Sequence, residues 1–502
     1  MAVDLALRGV KSVVLDDNNV VSLGSRAICW AKRTLEIFDR LGIGERMLEK
    51  GVTWKVGRQF HGDREVYNFD LLPEPGHKYP AFVNLQQYYI EQYLVERAQE
   101  FPDLIDLRFL NKVTDHKGHA DHVELTVETP DGPYRLETDW YIACDGAGSA
   151  TRKRMALPFE GQTFDEHFLI ADVEMETSPF GNHNTPERWF WFEPDFHHGN
   201  SALLHKQPDN IYRIDFQLQP DAYEAEEKKI ENLDRRLKAM IGDKPYELDW
   251  MSIYRFTCAK LDKFVHNRVL FVGDSGHVVS PFGARGGNGG VQDVDNIGWK
   301  LAAVLKGEAD KDLLETYCEE RRHGSAENIL NSSRATNFMT PKSPMEKLFR
   351  DEVLRLATDT PFARRIINSG RLSLPCSLES FAPDTRSDEA MLASGLPAMD
   401  APLLSKEGET SMIHLVGDEF KLVSFGQTRP GIGLNDIEHL HVYGKDYSDN
   451  LSAQEFADIT GFAFARYGSE ITYLVRPDAH IVGAWNSPDP AIIANAKALA
   501  LS

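Results

Sequence analysis

The sequence predicts an α/β protein of three parts: a split dinucleotide-type domain, an antiparallel sheet domain set between its halves, and a small α/β tail. Three observations carry that expectation. Residues 1–16 run in the order helix, strand, acid; short aromatic-rich strands alternate between about 164 and 256; and a buried strand at 268–272 feeds a glycine-rich loop and a long helix. At 502 residues the chain has room for about two to four domains.

The first nine residues, MAVDLALRG, read as the second half of an apolar helix closed by glycine. Residues 10–15 (VKSVVL) follow as a buried strand ending at Asp16. That order is the second half of a Rossmann-like βαβ unit, in which the acid takes up ribose hydroxyls; read alone, Asp16 is a solvated turn acid. No G-x-G-x-x-G precedes the helix, so the expectation is a unit lacking its first strand and phosphate-binding turn. Roughly 20 to 30 residues would then be missing from a unit of about 30, and the strand at 10–15 would keep an open edge.

Residues 25–41 resume a helical pattern, and 85–98 give another helix with Ile90, Leu94 and Val95 on its apolar face. Strands at 123–127 and 134–136 flank a turn at 130–133, and 140–144 is a buried strand running into Asp145-Gly146. The segments RWFWF (188–192), SALLH (201–205) and YRIDFQL (212–218) belong to the antiparallel sheet. Helices continue from the glycine loop to about 370, and the Ser-, Asp-, Ala- and Pro-rich stretch 377–399 reads as a linker. In the tail, strands are expected at 420–425, 439–442 and 471–475 and a helix near 453–460. The resulting boundaries are 1–160 and 263–376 for the split domain, 161–262 for the sheet and 400–502 for the tail.

Composition excludes several classes. Apolar residues at 42% and charged residues at 26% are the balance of an ordinary soluble globular protein. The 55 basic against 77 acidic residues leave a net charge of −22, a field that repels nucleic acid and anionic membranes, so neither is an expected partner. Five cysteines (Cys29, Cys144, Cys258, Cys318, Cys376) lack CxxC spacing, which argues against a zinc site or disulfide framework and fits a reducing cytoplasm. No apolar run reaches the about 18 residues of a membrane span, and the start lacks a signal-peptide pattern.

The most specific stretch is 268–305, RVLFVGDSGHVVSPFGARGGNGGVQDVDNIGWKLAAVL. Five of the eight residues from 283 to 290 are glycine. A bare run of that kind is a linker, but here a buried strand precedes it and apolar residues at helical spacing follow it. Such a loop presents backbone N–H groups and a partial positive charge at a helix N-terminus, suited to an anion or an electron-rich ring edge.

These residues resemble the second FAD motif of the class A flavoprotein monooxygenases, the aromatic hydroxylases built like para-hydroxybenzoate hydroxylase. The resemblance implies that Gly273 and Asp274 hold the ribityl chain and that Gly286, Gly287 and Asn288 lie along the isoalloxazine. Asp145, Gly146 and Arg152 (CDGAGSATR) resemble the family's DG motif, which serves both FAD and the nicotinamide cofactor; an isolated Asp-Gly is a turn. Arg26 resembles the arginine near the FAD phosphate and Gln87 the glutamine that faces the FAD, where bland readings are a helix-start surface arginine and a solvated helix residue. Asp16 stands where the family has its ribose-binding acid.

The resemblance spans residues 1 to about 370, and the tail is similar to the thioredoxin-like C-terminal domain of the phenol hydroxylase branch. Lacking CxxC, the tail is expected to be structural or to make homodimer contacts. The implied cofactors are FAD and NAD(P)H, and the implied reactants are O2 and a small aromatic substrate, hydroxylated through a flavin C4a-hydroperoxide. Pro281 and Phe282 are expected on the substrate side. Tyr254 and Arg213 are candidates to tune a phenolate, against their readings as a sheet tyrosine and a surface arginine, and His277 reads as a packing or hydrogen-bonding residue. The missing first strand implies weak or absent FAD binding. The competing readings are a same-fold flavoprotein doing epoxidation or NAD(P)H oxidation, and a non-catalytic remnant.

Overall fold

The structure is a computed structural model that describes residues 1–21, 24, 27–181, 185–197, 199–367, 375–382, 390–445, 447, 451–487 and 489–502. Its largest sheet has eight strands. Their spatial order is His277–Val278, Glu247–Lys260, Glu160–Glu174, Ile211–Leu218, Ser201–Lys206, Arg188–Phe192, Val56–His61 and Arg64–Asp70. Alternation along the strands divides the side chains between two faces. Leu169, Ala171, Leu204, Ile214 and Phe216 pack with Leu233, Leu237 and Ile241 of the helix Ile230–Ile241, while Phe168, Phe190, Phe192, Leu203 and Phe256 form a second cluster with Phe282.

The sheet reaches beyond the expected 161–262 stretch. The hairpin made by Val56–His61 and Arg64–Asp70 joins it through a parallel pairing with Arg188–Phe192, and the Phe60 ring stacks on Trp191 at 5.2 Å. Burying those aromatic rings favours the long-range pairing over leaving either strand as an edge.

The dinucleotide-type part is built as expected in outline, with differences in detail. Helix Ala2–Leu7 leads through Gly9 to the strand Ser12–Leu15, which pairs in parallel with Ile105–Arg108. That strand is half-exposed rather than buried, Val13 being 42% exposed, because it pairs on one side only in a two-stranded sheet. A second parallel pair, Tyr141–Ala143 with Val269–Phe271, lies in a separate three-stranded sheet. The hairpin Val123–Thr129 and Gly132–Thr138 forms as predicted.

Within 25–41 the structure gives a strand, Cys29–Ala31, before the helix Lys32–Arg40. The cause is tertiary: Cys29–Ala31 pairs with Phe82–Asn84, a partner invisible to local helical periodicity. Helix Gln87–Gln99 matches the expected 85–98.

The tail sheet runs in the order Gly408–Ser411, Pro402–Ser405, Glu455–Ala457, Glu438–Tyr443, Lys421–Phe425, Ile471–Val475, Ile481–Trp485. The helix expected near 453–460 is replaced by the strand Glu455–Ala457, and the helix follows at Phe462–Tyr467. The Asp458 carboxylate starts it, accepting N–H bonds from Gly461 at 2.8 Å and Phe464 at 2.9 Å.

Buried ion pairs fasten the tail to the rest. Arg476 donates to Glu320 at 2.7 Å and to Asp478 at 2.6 Å, and Arg33 bridges Asp295 at 3.0 Å to the Asp478 carbonyl at 2.7 Å. Among the described residues no helix is long and apolar enough to cross a membrane.

Candidate active site

The site is organised by the start of the helix Gly286–Leu305. Its N-cap, Arg285, makes no capping bond with its side chain, and no acid lies in the first turn. The first N–H groups and the helix dipole are therefore left for something outside the helix. At Gly287 a Cβ would press on the Trp30 ring at 3.2 Å and meet Ala27 at 3.5 Å, so a side chain there would have to push the Trp30 ring aside.

Asn288 turns its side chain back from this turn. Its Oδ1 accepts the Ala31 N–H at 2.9 Å, and its Nδ2 donates to the Cys29 carbonyl at 2.9 Å and the Ala284 carbonyl at 2.6 Å. The strand Cys29–Ala31 is thereby clamped to the helix start. Gln87 holds the segment just before that strand, its Oε1 accepting the Ala27 N–H at 3.3 Å while its Nε2 donates to Glu91 at 2.7 Å.

One turn further along the helix, Asp293 joins three elements. Its carboxylate accepts the Gly273 N–H at 3.0 Å, lies 2.6 Å from His277 Nε2 and accepts from Arg321 Nε at 2.6 Å. Burial alone would raise this carboxyl, but His277 and Arg321 outweigh it and hold it down at about 2. His277 is thus a hydrogen-bonding residue of the frame, as the sequence reading favoured. Gly273 has φ +66°, the left-handed region that favours glycine, and a Cβ at Gly290 would stand 3.4 Å from the Gly273 Cα, at ordinary contact, so the two backbones run close together here. Asp274 is exposed on the same turn.

Arg152 ties this turn to Asp145-Gly146. Its guanidinium donates to the Ser275 carbonyl at 2.7 Å and the Ala147 carbonyl at 2.5 Å, over the Phe159 ring. Asp145 caps its own short helix, accepting from Ser149 Oγ at 2.6 Å and the Thr151 N–H at 2.9 Å, and Gly146 turns the chain with φ +75°. Asp16 is exposed and accepts the Asn18 N–H at 2.8 Å within its own turn. Arg26 lies outside the described residues. The structure thus brings Gln87, Gly286, Gly287 and Asn288 together at the clamped strand, and Arg152, Gly273 and Asp274 together at the neighbouring turns.

The clamped strand also meets the large sheet. Cys29 Sγ lies 4.0 Å from His205 Nδ1. His205 belongs to a row of directly opposed residues, Arg188, His205, Arg213 and Asp172, that crosses four strands on one face. Arg213 is no surface arginine: it is 3% exposed and forks onto Asp172 through Nε at 2.8 Å and Nη2 at 2.7 Å. Burial would lower its affinity for protons, and the Asp172 charge more than restores it.

Asp215, two residues beyond Arg213, shares this face. Burial holds His205 well below its usual range, so its ring is neutral, and pushes the Cys29 thiol up to about 11. Further along, Phe282 is buried against Phe168 at 5.1 Å and Phe256 at 5.5 Å, with Pro281 exposed beside it. Tyr254 is half-buried and lies 6.2 Å from the Trp250 ring.

Sequence reasoning missed Cys29, Asp172, Arg188, His205, Asp215, Asp293 and Arg321. A signal existed for one of them: in YRIDFQL, Asp215 stands two residues beyond the candidate Arg213, which puts two charges on one buried strand face. The others are assembled by pairings distant in sequence.

The arrangement sets bare helix N–H groups beside a sheet face that is aromatic at one end and polar at the other. A planar, electron-rich ring edge fits the donors, and an aromatic molecule with a polar substituent fits the face. The FAD binding domain family matches residues 1–332.

A flavin-dependent monooxygenase of Mycobacteroides abscessus is 28% identical over 501 residues, spanning 96% of this chain and 93% of the relative. The 12-dehydrotetracycline 5-monooxygenase/anhydrotetracycline 6-monooxygenase of Streptomyces rimosus subsp. rimosus is 28% identical over 496 residues, spanning 96% and 92%. Among solved structures, the flavin-dependent monooxygenase PieE in complex with FAD and substrate superposes with a TM-score of 0.80 over 99% of this chain and 96% of PieE. At 19% identity that is a likeness of fold.

Proposed function

Because the chain belongs to the FAD binding domain family, the class A flavin-dependent aromatic hydroxylases, we propose that it is a monooxygenase inserting an oxygen atom of O2 into a small phenolic or other aromatic substrate. FAD is its resident cofactor and NAD(P)H its reductant; when bound, FAD supplies the hydride acceptance and oxygen activation that side chains lack. The observation that carries this reading is the clamp at Asn288. It holds the uncapped helix start against the strand whose Cys29 faces the sheet row.

In this reading the N–H groups of Gly286, Gly287 and Asn288 take the electron-rich edge of the flavin ring, where negative charge is stabilised by the helix N-terminus. The exposed Asp274, with Gly273, takes the ribityl hydroxyls; Asp16 and Arg26 serve the ribose and phosphate end. Arg152 keeps the Asp145-Gly146 and Gly273-Asp274 turns in register for both cofactors. Phe282 closes the substrate side with the aromatic cluster and Pro281 borders it, excluding water from the reacting atoms. Tyr254 and Arg213 line the same face; Arg213 acts there together with Asp172.

The test is the visible spectrum of the purified chain after adding FAD, on this chain and on one carrying an added N-terminal strand and glycine-rich turn, followed by turnover with phenolic compounds. The expected result is stoichiometric oxidised flavin and substrate-stimulated NAD(P)H oxidation with hydroxylated product. NAD(P)H oxidation without product makes it an oxidase, and flavin in neither form sinks the proposal.

A further inference from the structure

The sheet face beneath Cys29 carries two buried polar atoms of opposite character that the protein itself does not satisfy. Arg188 Nε and Asp215 Oδ1 are both sealed from solvent and have no hydrogen-bond partner among the described residues. Their neighbours differ: Arg213 and Asp172 satisfy each other, and Gln207 Nε2 adds a bond to Asp172 at 2.9 Å. Among the described residues no ion pair of 4 Å or less joins Arg188 to Asp215, yet both act electrostatically on the same Cys29 thiol and on each other. A buried donor and a buried acceptor that face one region and miss each other are costly unless something enters between them.

We propose that Arg188 and Asp215 are the polar anchor of the substrate, and that the group they take is an ionisable aromatic hydroxyl. This rests on the hydroxylase reading and deepens it. A hydroxyl is the group that fits both ends: its oxygen accepts from Arg188 while its O–H donates to Asp215. An aromatic carboxylate satisfies Arg188 and is repelled by Asp215, and an ammonium does the reverse. The neighbours along this face are apolar, since Asp215 is directly opposite Leu203 and Ile170, Phe190 is opposite Leu203, and the Phe168–Phe256–Phe282 cluster continues the same face.

The anchor also moves a proton. The substrate O–H bond breaks, Asp215 takes the proton, and the ring oxygen keeps the electron pair against the Arg188 charge. Burial pushes the Asp215 carboxyl up to about 6, with Arg213 and Arg188 opposing that rise and Asp172 adding to it, so near neutral pH it is ionised and ready to accept. The Cys29 thiol also feels the Asp215 charge, and the neutral His205 ring lies on the adjoining row between Arg188 and Arg213.

The experiment is calorimetric titration of the FAD-supplemented protein and its variants with two probes of one frame, 4-nitrophenol and 4-nitrobenzoate. The parent is expected to bind 4-nitrophenol more tightly. Arg188→Gln weakens 4-nitrophenol by about tenfold or more, the scale of a lost charge-assisted hydrogen bond, and Arg188→Lys, which keeps the charge, retains most of the affinity. Asp215→Asn tightens 4-nitrobenzoate by removing the like charge.

The lysine variant and the asparagine variant keep the test open should the glutamine variant fail to fold. A parent that prefers 4-nitrobenzoate or binds neither probe, or variants that bind both as the parent does, overturn the assignment. The flavin spectrum of the same samples reports separately on the hydroxylase reading, because neither side chain belongs to the proposed flavin contacts.

Discussion

Asn288 and Ala31 are joined by a 2.9 Å hydrogen bond across a gap of 257 residues, and the same amide also holds the Cys29 and Ala284 carbonyls. Replacing it by alanine strands an N–H and two carbonyls in the interior. Asn288→Ala is expected to cost about 1–3 kcal/mol of folding stability, more than its loss of volume implies. Urea unfolding measures it, and an unchanged midpoint would show that the clamp does not hold the helix start.

Asp293 predicts acid sensitivity. Its folded value of about 2 lies below the ordinary 3.8, so the native state favours the ionised form. Its contribution is fully present above about pH 4 and is lost as pH falls through about 2, amounting to about 2 kcal/mol. Removing the carboxylate in Asp293→Ala leaves Arg321 buried without its ion pair and is expected to cost about 3–5 kcal/mol. Denaturant midpoints between pH 4 and 2 test the first claim: a parent that loses no more stability than Asp293→Asn over that range would refute it.

Gly298 tests a close approach. A Cβ there would stand 1.8 Å from Asp4 Oδ2, and Asp4 cannot swing away freely because Arg8 at 3.2 Å and Arg40 at 2.5 Å hold it. In an open helix, alanine for glycine gains about 1 kcal/mol. Here Gly298→Ala is expected to lower stability by about 1–3 kcal/mol through overpacking. A raised melting temperature would mean that Asp4 gives way.

Arg476 predicts how the tail is coupled. Its bond to Glu320 connects the tail to the helix Leu313–Met339, its bond to Asp478 stays within the tail, and Lys300 meets the same Glu320 carboxylate at 2.9 Å. Arg476→Ala removes the cation from the centre of this network and is expected to cost about 3–5 kcal/mol. It should also split one calorimetric transition into two, the tail melting first. A single, equally high transition would show that apolar packing alone joins the parts.

What could be read beforehand follows the range of each interaction. The strand before the glycine run and the hairpin around 130–133 depend on local turn chemistry and periodicity and stand where residue spacing put them, while the run 283–290 is only half loop, because the helix already begins at Gly286. Cys29–Ala31 was missed because its conformation is fixed by Phe82–Asn84 and Asn288, and neither partner leaves a mark on the local pattern. Glu455–Ala457 became a strand for the same reason, through its parallel pairing with the neighbouring tail strand. For Arg213 the sequence leaves a phenolate-tuning role and a surface arginine open; only its pairing with Asp172, on a strand whose register sequence does not state, makes it a buried ion pair.

The parallel pairing of Val56–His61 with Arg188–Phe192 places Gly57 opposite Arg188. On the ribosome, residues are added at about 5–20 per second, so this partner is unmade on the order of ten seconds after Gly57 is joined. During that interval the early hairpin has its inner edge open and Phe60 without Trp191 to stack on. The nascent chain therefore passes through a stage in which a sticky edge waits for a strand not yet translated, and yield in cells should depend on chaperone supply more steeply than the finished protein's stability suggests.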